Sequence, residues 1–146
     1  MSSHRKLNIE RIKVLIEEVR EASDNLSEYS KLSEGEILSN KTVLNAAKYS
    51  FIVAIQGIID ICHHIVARFS GKVPDEYGEC FLILKEMGYL TSDYALKLKA
   101  IAGFRNILIH LYHEVDDKRV LKYLKKDLWI IEEFLKVIKR VLEENM

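Results

Sequence analysis

At 146 residues the chain suits one domain, and 49% hydrophobic residues give it enough material for a sizeable core. Its 22 Lys and Arg balance 22 Asp and Glu, which argues against capture of a long nucleic acid by net charge but leaves room for a local anion site. Two cysteines, Cys62 and Cys80, are no disulfide framework, the charged stretch from Met1 to Glu18 does not read as a signal peptide, and the longest apolar run, Tyr49 to Ile59, falls far short of the ~20 residues of a membrane span, so a cytoplasmic protein off the membrane is expected.

Apolar spacing predicts five helices. The first runs from about Asn8 to Tyr29, with Ile9, Ile12, Ile16, Val19 and Leu26 on one stripe. Leu32 to Lys41, rich in Ser, Gly and Asn, reads as a loop. The second helix, from about Thr42 to Phe69, is apolar nearly all round and so is expected at the centre. After Ser70-Gly71-Lys72-Val73-Pro74, a short third helix spans about Asp75 to Met87, and Gly88 stops it. Thr91 or Ser92 caps a fourth that continues to about His113. Asp116 or Asp117 caps a fifth, whose Leu121, Leu124, Leu128, Ile131, Leu135, Ile138 and Leu142 form a heptad-like seam.

No stretch alternates as a strand does, so the expected architecture is an all-α, up-and-down bundle of about five helices in a single domain, 1–146. The fifth helix also carries Val120, Trp129, Ile130, Phe134 and Val137 off its seam. One face cannot bury both sets, which suggests a dimer through the bundle; packing of the second set on the first helix of the same chain is the alternative.

The residues with chemistry to offer cluster between Gly103 and His113. Three and four residues from Arg105 on a helix lie Ile101, Ala102, Leu108 and Ile109, all apolar. A guanidinium there must reach solvent, pair with an internal carboxylate, or await an anion. Asn106 and His110 share a face, whereas His110 projects about 140° away from Arg105, so one cleft can hold both only if something else, such as a second subunit, completes it. The pair suits RNA cleavage through the RNA's own 2′-hydroxyl: a histidine moves protons near neutral pH, and an arginine meets the phosphoryl oxygens bidentately, with no metal required. Taken alone, the pair fits a structural role better than a catalytic one: Arg105 on a buried acid and His110 as a satisfied, partly buried histidine.

A second cluster, Gln56, Asp60, Cys62, His63 and His64, forms a polar row on the central helix. Gln56 and Asp60, and Asp60 and His64, stand four apart and can meet. The row can pair with Arg105, with Asp60 as the carboxylate nearest it, shape a cleft, or bind a metal with His110 or His113, although no tight ligand motif is present. Cys62 reads as a buried small hydrophobe, and Tyr77 and Tyr89 as core edges.

Arg105-Asn106, three apolar residues, His110, one residue and Tyr112 resemble the Arg-x4-His-x-Tyr signature of HepT toxins within the wider HEPN group. The resemblance extends over Ala54–Ile65, Pro74–Phe81, Gly103-Phe104 and Val115-Asp116. It implies a helical homodimer with its cleft at the dimer interface, Arg105 and His110 as catalytic residues, Asn106 positioning the scissile phosphate, and neither cofactor nor metal. It also implies a nucleotidyltransferase antitoxin of the MntA kind that transfers AMP onto Tyr112. Added bulk and phosphate charge beside the arginine would then block RNA. The substrate implied is RNA, not DNA. A non-catalytic nucleotide- or substrate-binding subunit of a nucleotidyltransferase complex is the other reading, and a metal-dependent hydrolase a third.

Overall fold

The computed structural model describes residues 8–110 and 116–146. They form seven helices: α1 (Ile9–Ser30), α2 (Glu34–Leu38), α3 (Lys41–Phe69), α4 (Tyr77–Glu86), α5 (Ser92–His110), α6 (Asp117–Lys126) and α7 (Trp129–Asn145). The first begins where Asn8 caps it, its side-chain oxygen accepting from the Arg11 amide at 3.0 Å. Ile12, Leu15, Val19, Ala22 and Leu26 then recur by three and four and are buried.

α3 starts on Asn40, whose side chain takes the amides of Thr42 and Val43. It packs against each of the other six helices, as its all-round apolarity predicts. Its length and composition would also allow a membrane span, but 61% of the most apolar window is buried inside the bundle. The closest pairing is with α1, at Gly57: a Cβ there would collide with Cγ2 of Val19, so glycine is what lets the two backbones approach.

α4 ends as expected at Gly88, whose φ of 91° suits glycine. The amides of Gly88 and Tyr89 return to the carbonyls of Lys85 and Leu84, a Schellman motif. Thr91 caps α5 by accepting from the Tyr94 amide at 3.1 Å. Residues 111–113, where the sequence would continue this helix, lie outside the described residues.

Two elements differ from the expectation of five helices. The loop from Leu32 to Lys41 contains α2, nucleated by a capping box in which Ser33 and Glu36 each bond the other's backbone amide. The Ser33 amide, and then its hydroxyl, also hold the Glu36 carboxyl below the usual range. The fifth helix is two, α6 and α7, broken at Asp127 and Leu128, where Ile130 and Ile131 donate one residue short of the α-helical partner. The break reorients the chain. Ile130, Phe134 and Val137, assigned to the outer set, are buried beside Ile131, Ile138 and Val141, while Leu128, Leu135 and Leu142 of the seam are only partly buried. Trp129 alone of the outer set remains exposed. α7 packs on α1, α3 and α5 of its own chain, so two apolar faces on one helix no longer point to a dimer.

Candidate active site

α5 is fixed at both ends before it presents any polar group. Near its start the Tyr94 hydroxyl donates to the Ile130 carbonyl at 2.6 Å, and burial pushes that phenol well above its ordinary pKa. Near its end Phe104 stands edge-on to Phe51 of α3 and stacks on Tyr123 of α6, with centroids 5.6 and 4.4 Å apart, while the Arg119 guanidinium lies 5.6 Å from its ring. The residues that follow Phe104 therefore start from a rigid platform.

Arg105 is half-buried, and its Nε is shielded from solvent with no hydrogen-bond partner. No carboxylate among the described residues lies within ion-pair distance of it. Such a donor costs about 1–3 kcal/mol, more for a charged group. Asn106 is held instead: its amide donates to the Tyr77 hydroxyl of α4 at 3.4 Å. His110, in the last turn, is exposed. The helix is regular between them, so Arg105 and His110 leave it about 140° apart and one chain does not bring them together. Tyr112 and His113 lie outside the described residues.

The polar row on α3 divides. Gln56 donates to Asp60 at 3.0 Å, as its spacing predicts. His64 is exposed and makes no bond to Asp60. His63 has a buried Nε2 without a partner. Asp60 forms no ion pair with Arg105. The Phe51–Phe104 contact sets the level at which α5 crosses α3, and Asp60 stands nine residues, about 13 Å of helix rise, beyond Phe51. No group of three or more His, Cys, Asp or Glu among the described residues is gathered as a metal set. Cys62 is fully buried as read, its thiol pushed up by burial and by neighbouring Cys80. Tyr77 was legible only as a core edge; its bond to Asn106 spans 29 residues and has no local sequence signal.

Known proteins resemble the chain over most of its length. The model of the HepT-like ribonucleases matches residues 19–138. A candidate RNase of Archaeoglobus fulgidus is 31% identical over 96 residues, 66% of this chain and 72% of its own. The mRNA nuclease HepT of Shewanella oneidensis is 26% identical over 110 residues, 75% of this chain and 79% of its own. Among solved structures, the tri-AMPylated HEPN toxin of Shewanella oneidensis, in complex with its MNT antitoxin, superposes with a TM-score of 0.80 at 22% identity, covering 88% of this chain and 96% of that one. The chain thus belongs to the HepT-like ribonuclease family, a class of RNA nucleases, and has the HEPN-type helical fold.

Proposed function

We propose that this protein is the toxin of a toxin–antitoxin pair, a cytoplasmic RNA endonuclease that needs no metal, with residues 1–146 as one HepT-like domain. Arg105 and His110 are its catalytic residues. His110 moves the proton between the 2′-hydroxyl, the water-exposed side of the site and the 5′-oxygen leaving group. Arg105 meets the charge that builds on the non-bridging phosphoryl oxygens as the 2′-oxygen attacks phosphorus. The products are a 2′,3′-cyclic phosphate and a 5′-hydroxyl. Asn106, held by Tyr77, positions the phosphate, and Asp60 lines the cleft further along α3 rather than neutralising Arg105.

The observation that carries this reading is the unpartnered Nε of Arg105, a half-buried cation with no carboxylate in ion-pair reach among the described residues. A substrate phosphate would supply one. A homodimer, with the cleft built from two copies of α5, accommodates the 140° between Arg105 and His110. The partner is a nucleotidyltransferase antitoxin like the MNT protein bound to the Shewanella toxin, which is itself tri-AMPylated. Tyr112 is the residue modified here, and Tyr112→Phe leaves the nuclease insensitive to the antitoxin's transferase activity. Full modification of that variant, seen by mass spectrometry, would refute the assignment.

The test is cleavage of RNA by the purified, unmodified protein in EDTA, with the product ends identified. Cleavage leaving 2′,3′-cyclic phosphates is expected. Cleavage only with added divalent metal would overturn the mechanism, and no cleavage by protein with an unmodified Tyr112 would favour a non-catalytic binding subunit.

A further inference from the structure

The zero net charge conceals a segregation. Five of the 22 basic residues fall within the ten residues of α6, against one acid, Asp117. They have separate fates. Arg119 lies over Phe104. Lys125 donates to the carbonyls of Ser30 and Leu32 and so ties α6 to the end of α1. Lys118, Lys122 and Lys126 are exposed and form no ion pair among the described residues. Spaced by four, these three make one stripe, each ammonium about 6 Å along the helix from the next.

The stripe borders a groove of about 310 Å³ between α6 and α2, floored by Leu38 and Leu121, with Glu34 as its one carboxylate. Leu38 is 40% exposed, an apolar surface beside the lysines. Arg119, next to Lys118 in sequence and about 100° around the helix from it, lies over Phe104, the residue that precedes Arg105. A row of unpaired cations beside an apolar floor is what a single-stranded nucleic acid needs: charge for successive phosphates and a surface for a base or ribose.

We propose that Lys118, Lys122 and Lys126, with Leu38, form a second RNA-binding track, which carries the single-stranded substrate away from Arg105 along α6. The proposal rests on the ribonuclease reading for its choice of RNA. It also explains how a chain of zero net charge holds a polyanion: the attraction is local.

The test measures binding, not cleavage. The probe is a fluorescent single-stranded 2′-O-methyl RNA, which cannot attack its own phosphate, titrated with the full-length protein over a series of salt concentrations. Replacing Lys118 and Lys122 by Gln should lower the slope of log K against log salt by about 1.4, the loss of two single-strand phosphate contacts. The same change at Lys136 and Lys139, exposed on α7, should leave the slope unchanged. Equal effects from the two pairs would mean that only net charge matters and would overturn the track. An unchanged RNA slope with weakened binding of the nucleotidyltransferase antitoxin would make α6 a protein interface instead. Because cleavage is not read, the two ideas fail separately: a protein that cleaves RNA without using α6 refutes only the track, and one that binds through α6 without cleaving refutes only the chemistry. Unchanged helical circular dichroism in each variant confirms that folding is retained.

Discussion

α3 and α5 both carry polar groups through an apolar bundle, but they dispose of them differently. On α3, Gln56 bonds Asp60 and Lys48 pairs with Asp117 of α6 at 3.1 Å, so these groups are answered within the fold. Only His63 leaves a buried nitrogen open there. On α5, the buried face from Tyr94 to Leu108 fixes the helix, while Arg105 has an unanswered donor and His110 faces water. Satisfied polar groups stabilise a fold, and unsatisfied ones on a rigid support are free to act on something else. α3 is the helix the bundle is built around, and α5 is the helix it presents.

Three substitutions break or sharpen that contrast. The largest effect is on rate: His110→Ala should slow RNA cleavage by 10²–10⁴-fold, the range for a lost general acid or base. Being exposed, the residue should leave the unfolding midpoint within about 0.5 kcal/mol of wild type. Cleavage at the wild-type rate would remove His110 from the mechanism.

Gly57→Val on α3 should do the reverse, destabilising the protein by about 2–3 kcal/mol in urea, because the added side chain meets the stiff, β-branched Val19. An unchanged midpoint would mean that the α1–α3 contact is loose. The smallest effect is at Tyr77→Phe, which frees the Asn106 amide from a long 3.4 Å bond. A loss of about 0.5–1 kcal/mol in transition-state binding, only a few-fold in kcat/KM, is expected. A large loss of stability instead would assign Tyr77 to the core alone.

The contrast was partly legible in the sequence. The centrality of α3 followed from apolar residues on every side, and the caps at Thr91 and Asp116 and the stop at Gly88 from local side-chain chemistry. Ser33 and Glu36 had the spacing of a capping box, but five residues of helix are too short for a periodic apolar signal. The break at Asp127 was hidden, because the leucines on both sides keep the seam's spacing while their burial does not follow it. At the site, the exposure of Arg105's surroundings to apolar neighbours was readable, since it depends on residues three and four away. That no carboxylate among the described residues pairs with it was not, because that depends on where α5 crosses α3. The charge balance of the whole chain likewise said nothing of the stripe on α6, which only the spacing of unpaired lysines on one face reveals.

The central claim is that the charge of Arg105 is kept for a phosphate and not for the fold. The unfolding free energy of Arg105→Met, measured in urea beside its rate of RNA cleavage, tests it most directly. Methionine fills similar space without an unpaired donor, so stability should hold or rise while cleavage is lost. A stability loss of several kcal/mol would contradict the claim and make Arg105 a structural cation.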